Sequence, residues 1–523
     1  MRGMTRDAAT AAIRAPFDGA TLRVGDDRVT MAMQGGERVM ELVTPRRRER
    51  FRITKVVGGR YREDFVGLDA HGEEHVLPAT FVFSTRSWRY KGYSVMVKER
   101  PAMSTNSRWS RECLPCHNTL PLATMLYDDI DPHVPSYQGK LSDRVLPRSR
   151  IWPARALDDA GLGRALGDEI AFLGDTPGGG TLHDQLSAAA IASENHLDGP
   201  HLIELGVGCE ACHNGARVHA TNPDVRPTFA VRSDLVAVTP PRGQAGTTPQ
   251  WINHTCAKCH TVLFSRYPWT WEGGTRTGNP GGSSISSGEG RDYQLGGCAS
   301  QMACTACHDP HATDPPARLA ALATPAGNAL CTRCHPAYAG EVAARHSHHA
   351  GGSAGTACLA CHMAKKNMGL DYALIRYHRI GSPSDPRRVL GDRPVECALC
   401  HADKTVEDLV STIERWWGKR YDRAALRALY GDDLAVNALR ATLERGKPHE
   451  QAAAIAVLGE SGDRTAIPVI TAQLAHDYPL VRYFAQRALE TLTGAPVAID
   501  VGAPAADVRR AAQAWLRAAP AGR

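Results

Sequence analysis

Residues 304–308 read Cys-Thr-Ala-Cys-His, and the same spacing returns at residues 331–335 as Cys-Thr-Arg-Cys-His. Seven copies of this Cys-x-x-Cys-His pattern use fourteen of the fifteen cysteines. The first cysteines are Cys113, Cys209, Cys256, Cys304, Cys331, Cys358 and Cys397, the second cysteines are Cys116, Cys212, Cys259, Cys307, Cys334, Cys361 and Cys400, and the histidines are His117, His213, His260, His308, His335, His362 and His401. A pattern repeated this regularly indicates that each copy holds the same group.

The spacing is typical of covalent c-type haem attachment. Two thiols three residues apart share one helical turn, where they can bond to the two vinyl groups of one haem, and the next histidine can bind the iron. Structural zinc sites, disulfides and thioredoxin-like redox pairs also use Cys-x-x-Cys, but none of them needs a histidine after every second cysteine. The sequence therefore predicts seven c-type haems, each with its motif histidine as the proximal iron ligand.

Fifteen of the 22 histidines lie outside the motifs, enough to give every iron a second imidazole. We therefore expect mostly bis-histidine, low-spin haems suited to electron transfer. The candidate distal ligands are His133, His196, His201, His219, His254, His311, His349 and His378, with His346 and His348 beside His349. The leftover Cys298 has several possible roles: an axial ligand, a reactive thiol, a disulfide to another chain, or a small buried side chain.

Composition narrows the class of protein. The 523 residues are 43% hydrophobic and only 6% aromatic, and they contain no apolar run long enough to cross a bilayer. We therefore predict a protein that is not transmembrane. The formal charge of +6 is too small, without a concentrated basic face, to indicate nucleic-acid binding.

The start of the chain bears on localisation. Residues 1–16 include Arg2, Arg6, Asp7 and Arg14 and lack the apolar stretch of a secretory signal. Covalent haem attachment takes place outside the cytoplasm, so we expect a periplasmic or otherwise extracytoplasmic bacterial protein. The signal peptide is then missing from this tail and encoded upstream.

Four segments follow from the hydropathy pattern. After the tail, residues 17–101 alternate at period two and predict a small antiparallel β domain. Residues 102–422 hold the seven motifs, where short helices and long loops are expected, among them a flexible Gly/Ser-rich loop at Trp271–Gly290. Residues 423–523 are rich in Ala and Leu and have a period of about 34 residues, which predicts a short HEAT-like helical repeat. The expected fold class is mostly α: a multihaem cytochrome c core with a small N-terminal β domain and a C-terminal HEAT-like repeat.

The helix after the last motif and the C-terminal repeat each have an expected packing partner. Apolar residues after the last motif share one helical face and are expected to pack over the neighbouring haem; they are Val406, Leu409, Val410, Ile413, Trp416 and Trp417. The C-terminal repeat either docks a partner protein or covers the haem domain.

Several motifs resemble the multihaem cytochrome group related to cytochrome c nitrite reductase and hydroxylamine oxidoreductase. They are Glu112-Cys-Leu-Pro-Cys-His-Asn-Thr119, Gly206-Val-Gly-Cys-Glu-Ala-Cys-His213 with His219 after it, Cys304-Thr-Ala-Cys-His-Asp-Pro-His311, His348-His349 ahead of Cys358-Leu-Ala-Cys-His-Met363, and Cys397-Ala-Leu-Cys-His-Ala-Asp-Lys404. The resemblance implies that His219, His311, His349 and His378 are distal ligands. It also implies an eighth haem motif if the gene extends upstream.

Two departures from that group weigh on the expected activity. The Cys-x-x-Cys-Lys motif of its nitrite reductases occurs nowhere in the chain, and Cys298 stands where relatives often have a histidine. We therefore expect an electron-transfer protein whose redox partners are a quinol-linked membrane complex or a small cytochrome. The alternative is a haem-based oxidoreductase of nitrite, hydroxylamine, sulfite or tetrathionate, with one open or displaceable distal site and no catalytic residue yet assigned. A scaffold built on the C-terminal repeat is a third possibility.

Overall fold

The computed structural model describes residues 2–90, 103, 105, 108–112, 114–135, 150–214, 216–260, 288–312, 315–369 and 372–518. These residues form two compact units, one reaching to residue 260 and the other beginning at residue 288. The predicted division into four segments is finer than this and stays a prediction. None of the helices in the described part of the chain combines the length and the hydropathy needed to span a bilayer.

The first unit begins with a nine-stranded antiparallel sheet that is nearly closed. Its strands are β1 (Thr5–Asp7), β2 (Asp18–Val24), β3 (Asp27–Gln34), β4 (Glu37–Val43), β5 (Arg48–Gly58), β6 (Arg62–Leu68), β7 (Glu74–Val76), β8 (Ala79–Val82) and β9 (Ser87–Tyr90). The order is β2-β3-β4-β5-β6-β8-β9, with β1 paired to β5 and β7 paired to β6. The two end strands, β2 and β9, also approach each other.

Alternating side chains build this sheet. Val29 and Met31 on β3 are fully buried, whereas Arg28 between the turn and Val29 is exposed. Gly35 and Gly36 join β3 to β4 with φ of 59° and 83°, the left-handed conformation that a two-residue hairpin turn requires. The local pattern therefore sets both the face and the register of the hairpin.

The sheet is packed against the first helices of the same unit. Val57, Val66 and Val76 share one hydrophobic core with Leu114 of the first motif and with Trp109, which lies shortly before it. The hydroxyl of Thr5 also donates to the backbone carbonyl of His117 at 2.9 Å. The sheet thus supports the first motif.

The remaining elements of the first unit are mainly helical. The helices are α1 (Trp109–Glu112), α2 (Leu114–His117), α3 (Tyr127–Ile130), α4 (Asp159–Phe172), α5 (Leu182–His196), α6 (Arg217–Thr221) and α7 (Thr248–His260), and a two-stranded ribbon is formed by β10 (Ala154–Ala156) and β11 (Val236–Val238). The 3-10 turns are Arg2–Met4, Ala123–Met125, Gly199–His201 and Cys209–Ala211.

The second unit has shorter helices around its motifs and longer ones after them. The helices are α8 (Glu289–Gln294), α9 (Pro315–Leu322), α10 (Ala329–Thr332), α11 (Val342–Ser347), α12 (Cys358–His362), α13 (Pro386–Val389), α14 (Val406–Trp417), α15 (Arg423–Tyr430), α16 (Ala438–Arg445), α17 (Pro448–Ser461), α18 (Ile467–Ala472), α19 (Pro479–Thr493) and α20 (Ala505–Ala518). The strands β12 (Lys365–Met368) and β13 (Leu374–Arg376) pair, and 3-10 turns lie at Cys304–Ala306, Pro325–Asn328, Pro336–Tyr338, Ala354–Thr356, Glu396–Leu399, Arg464–Ala466 and Gln473–Ala475.

The last helices have their own packed core. The helix α17 lies against α19 so closely that a Cβ atom at Gly459 would be 2.6 Å from the Cβ atom of Ala488. Ile455 and Leu458 on α17 and Leu489 on α19 are buried at this contact or beside it. Packing, rather than helix propensity, therefore stabilises this end of the chain.

The predicted fold class is wrong. The structure is 44% helical and carries a large nine-stranded sheet in place of the expected small β domain, and a multihaem core of short helices is not observed. The sheet also includes Thr5–Asp7 from the expected tail. The sequence does not predict this strand, because three residues are too few to show a period. At the C-terminal end, α18 is only six residues long and continues into a 3-10 turn, unlike a helix of the expected HEAT-like repeat. The predicted loop at Trp271–Gly290 lies mostly outside the described residues.

Candidate haem sites

Each of the six motifs that the structure describes in full is wound into one tight turn. In four motifs the backbone N–H of the histidine donates to the carbonyl of the first cysteine, four residues earlier, at 2.9 to 3.0 Å. These bonds join His213 to Cys209, His308 to Cys304, His335 to Cys331 and His401 to Cys397. Such a turn brings both thiols and the histidine to one side, as haem attachment requires. Cys113 lies outside the described residues.

The first unit gathers three motifs. The thiol of Cys116 is hydrogen-bonded to Cys259, and this bond lowers the pKa of the Cys259 thiol. Burial, followed by the nearby thiols of Cys256 and Cys259, raises the pKa of Cys212 to about 11. The second cysteines of these motifs are therefore neighbours.

His254, a predicted distal ligand on α7, lies among aromatic rings. Its imidazole stacks on Trp152, with ring centroids 4.6 Å apart and planes 21° apart. Its Nε2 atom is buried without a hydrogen-bond partner among the described residues. Burial holds the pKa of His254 well below its usual range, so the ring is neutral. A neutral imidazole with an unused lone pair is the form that binds a metal.

In the second unit, thiols from motifs that follow one another in the sequence also lie close together in space. Burial, and after it the Cys358 thiol, raises the pKa of Cys331 to about 12. Burial, and after it the Cys361 thiol, raises the pKa of Cys397 to about 12 as well. Cys307 is also close enough to contribute to the shift at Cys331. The four motifs of this unit thus follow one another in space.

Three motif histidines of the second unit each face a histidine from outside the motifs. The pairs are His308 with His378 (6.0 Å between ring centroids, 22° between planes), His362 with His346 (6.1 Å, 7°) and His401 with His349 (5.9 Å, 30°). Two imidazoles that share one metal, each about 2 Å from it through a ring nitrogen, have centroids roughly 6 Å apart. The three pairs therefore fit bis-histidine haem.

Hydrogen bonds fix the tautomer of several of these rings. The Nδ1–H groups of His378, His349 and His362 donate to the carbonyl oxygens of Arg376 (2.9 Å), Ser347 (2.7 Å) and Gly381 (3.0 Å). The lone pair of each ring then lies on Nε2. In proteins, a hydrogen bond from the other ring nitrogen in this way orients most metal-binding histidines.

The surroundings of these motifs also fit a large apolar cofactor. Among the described residues between Ala299 and Ala357, no hydrophobic side chain is buried, although the segment contains several helices. Helices without an apolar core of their own need another group to pack against. A haem held by a motif of this segment, such as the copies at residues 304–308 and 331–335, would supply an apolar surface of that kind.

Other predicted distal ligands lie in ordinary polar surroundings. His133, His196 and His201 face surface aspartates: Asp131 at 3.2 Å, Asp175 at 3.3 Å and Asp198 at 2.7 Å, respectively. Their assignment as iron ligands stays a prediction.

Two further predicted ligands lie close after a motif. His219 donates from Nδ1 to the carbonyl of Val225 at 2.8 Å, which leaves Nε2 for another contact. His311 is exposed, and its backbone N–H donates to the Asp309 carboxylate at 2.9 Å. Both assignments stay predictions.

Cys298 and His335 belong to the same part of the second unit. Cys298 is half-buried, burial raises the pKa of its thiol, and the neighbouring Cys334 adds to the shift. His335 is exposed, and no second imidazole faces it among the described residues, which include every histidine of the chain. Within the described part of the chain, the motif at residues 331–335 therefore lacks the facing imidazole that the other three motifs of its unit have.

The sequence alone does not distinguish the histidines at residues 346–349. His346 was one of three adjacent candidates, and nothing in the sequence distinguishes it from His348, which instead stacks on Trp416 at 4.5 Å. The close approach of Gly355 to His349 had no signal in a single sequence.

Comparison with known proteins supports the chemistry of the motifs. A family model described as a doubled CXXCH motif matches residues 297–340, which contain the copies at Cys304 and Cys331. No curated protein and no solved structure matches the chain. These comparisons give no support for the nitrite reductase and hydroxylamine oxidoreductase group or for a HEAT repeat. The matched motifs indicate that the chain binds c-type haem with iron, and they point to a multihaem c-type cytochrome.

Proposed function

We propose that this chain is an extracytoplasmic multihaem cytochrome that transfers electrons through seven covalently bound haems. The observation that carries the proposal is the set of three facing imidazole pairs in the second unit, His308–His378, His362–His346 and His401–His349. When bound, each haem supplies one-electron chemistry at its iron.

Paired imidazoles suit electron transfer rather than substrate binding. With a histidine on each face, an iron has no free position for substrate, and it gains or loses an electron without exchanging a ligand. The neighbouring thiols Cys307–Cys331, Cys331–Cys358 and Cys361–Cys397 support a close succession of haems. Electrons would then pass between adjacent haems in chain order.

The partners that suit this function are redox proteins outside the cytoplasm, either a quinol-linked membrane complex or a small cytochrome. The C-terminal helices serve chiefly as a cover for the haem-bearing segment in this proposal. Their contacts favour that role over partner docking: Tyr483 on α19 stacks on Tyr372 (5.1 Å, 17°), and Glu450 on α17 binds Arg393.

Haem content and spin state test this proposal on the full-length, haem-loaded chain. Mass spectrometry should find seven covalent haems, and electron paramagnetic resonance of the oxidised protein should be dominated by low-spin iron. The double variant Cys304→Ser/Cys307→Ser should lose one haem and its low-spin signal. Fewer than seven haems, or a mainly high-spin spectrum, would contradict the proposal.

A second candidate function, a haem-based oxidoreductase of a small nitrogen or sulfur compound, is favoured by His335. This exposed histidine has no imidazole opposite it among the described residues. Its iron would then have a position open to nitrite, hydroxylamine, sulfite or tetrathionate.

The two candidates differ in ligand binding. If the haem at Cys331 is an open site, the reduced protein binds carbon monoxide, and Cys331→Ser/Cys334→Ser abolishes that binding while Cys304→Ser/Cys307→Ser keeps it. A reduced wild-type protein that binds no carbon monoxide, and an oxidised one that binds no nitrite, hydroxylamine or sulfite, would exclude the oxidoreductase.

A further inference from the structure

One short segment faces two haem motifs at once. The helix α11 ends at Ser347, and His346 on its last turn faces His362, while His349 just beyond it faces His401. Between them His348 adopts the left-handed conformation, with φ of 56°. This left-handed residue ends the helix, and the two histidines, three residues apart, face different motifs.

The same segment is held by the end of another helix. His348 stacks on Trp416, with ring centroids 4.5 Å apart and planes 12° apart. Trp416 also meets the edge of His349 at 6.4 Å and 74°. The Nε1–H of Trp417 donates to the carbonyl oxygen of His346 at 3.2 Å. Each of the three histidines thus touches one of these tryptophans.

That helix, α14, is itself tied to the last motif. Its N-cap residue, Thr405, lies four residues after His401, and the Thr405 side chain accepts from the Asp408 N–H at 3.0 Å in a capping box. Val406, Leu409, Val410 and Ile413 bury its apolar face. The helix therefore links the last motif to Trp416 and Trp417, which contact the segment that carries His346 and His349.

We propose that the Trp416–His348 stack is a positioning element shared by two haems: it fixes His346 and His349 as distal ligands of the irons bound to His362 and His401. This inference rests on the proposed haem ligation. Because one segment carries both ligands, loosening the stack displaces both of them. The sequence analysis expected Trp416 and Trp417 to pack over a haem, whereas here they act through the ligand segment.

The test compares variants of the full-length, haem-loaded protein by haem content, electron paramagnetic resonance and redox titration. His346→Ala and His349→Ala are references, and each should convert one low-spin haem to high-spin. Trp416→Ala should give a high-spin signal about twice that of either reference, because both ligands are released, and should shift two potentials. Trp416→Phe should keep the wild-type spectrum, since a ring remains to stack on His348.

His348→Ala is a second route to the same result, because it removes the stack without touching α14. Its high-spin signal should match that of Trp416→Ala. The double variant His348→Ala/Trp416→Ala should give a high-spin signal no larger than that of either single variant. Trp515→Ala, a tryptophan of α20, is the matched control and should change nothing.

Two results would overturn the inference. A Trp416→Ala protein with seven haems, an unchanged low-spin spectrum and unchanged potentials would do so, and so would one in which only the His401 haem is affected. If the wild-type protein lacks low-spin haem at the motifs of residues 358–362 and 397–401, the proposed function fails together with the inference.

Discussion

At the scale of single residues, His349 shows how closely a proposed iron ligand is held. Its Nδ1–H donates to the Ser347 carbonyl at 2.7 Å, and Trp416 borders its ring. On the remaining side lies Gly355, where a Cβ atom would stand 2.3 Å from Cδ2 of the imidazole. Position 355 therefore needs glycine because of this close approach.

Replacing Gly355 by alanine should displace His349. The added methyl group cannot fit at that distance, so the ring must shift from its position opposite His401, and the haem there should become partly high-spin. Electron paramagnetic resonance of the oxidised protein measures this. Gly351→Ala is the control, because its added Cβ meets nothing within 4 Å and should leave the spectrum unchanged. An unaltered low-spin spectrum in Gly355→Ala would contradict the expectation.

At the scale of elements, buried charges bind the segment before the last motif to α17. Arg393, four residues before Cys397, donates from Nε to Glu450 at 2.9 Å and from its backbone N–H to the same carboxylate at 3.0 Å. Beside it, Lys366 on β12 pairs with Asp392 at 2.7 Å. All four side chains are buried, so each charge depends on its partner.

Replacing Glu450 by alanine should destabilise the second unit by about 3–5 kcal/mol, because the Arg393 guanidinium is left buried without its counter-charge. Urea unfolding followed by circular dichroism measures the change in the free energy of unfolding. Asp507→Ala removes an exposed ion pair with Arg510 and should cost less than about 1 kcal/mol. Equal losses of unfolding free energy in the two variants would show that the buried ion pair contributes no more to stability than the exposed one.

The junction of α17 and α19 should be sensitive to acid through His476. Its Nδ1 accepts the Tyr478 N–H at 2.9 Å, and its Nε2–H donates to Gln451 at 2.9 Å, so both nitrogens are used by the neutral ring. Burial lowers the pKa of His476 to about 4. The unfolded chain, with an ordinary histidine pKa of about 6.5, then binds the proton more readily than the folded one.

The sign of the pH effect follows from that difference. The contribution of His476 to stability is complete above pH ~6.5 and falls as the pH drops towards ~4. His476→Gln cannot take up this proton, so its stability should decline less steeply over that range than the wild type. Thermal unfolding at a series of pH values compares the two slopes, and parallel slopes would exclude this role for His476.

The same scale shows what a single sequence can predict. The Cys-x-x-Cys-His turn is local, so its shape follows from five adjacent residues such as Cys331 to His335. The proposed distal ligands are not set locally. His346, His348 and His349 look alike in sequence, and only the left-handed backbone at His348 separates their directions. The sheet was underestimated because β1 and β7 have three residues each, too few to show alternation.

At the scale of the whole molecule, the charge of the functional protein differs from that of the bare chain. The polypeptide carries a formal charge of +6. With its two ionised propionates, each bound haem adds about one negative charge when ferric and about two when ferrous. Seven haems would bring the protein to about -1 when oxidised and about -8 when reduced. The basic character of the sequence therefore does not imply an acidic partner.

This change in charge predicts that reduction strengthens binding to an anion exchanger. The haem-loaded protein should be retained weakly when oxidised and should require higher salt for elution after dithionite treatment, because each reduced haem carries one more negative charge and salt screens that attraction. Anaerobic chromatography of both forms measures the shift. The variant Cys304→Ser/Cys307→Ser, with one haem fewer, should elute earlier than the wild type in either state. Equal elution of oxidised and reduced wild-type protein would mean that protons accompany the electrons and cancel their charge.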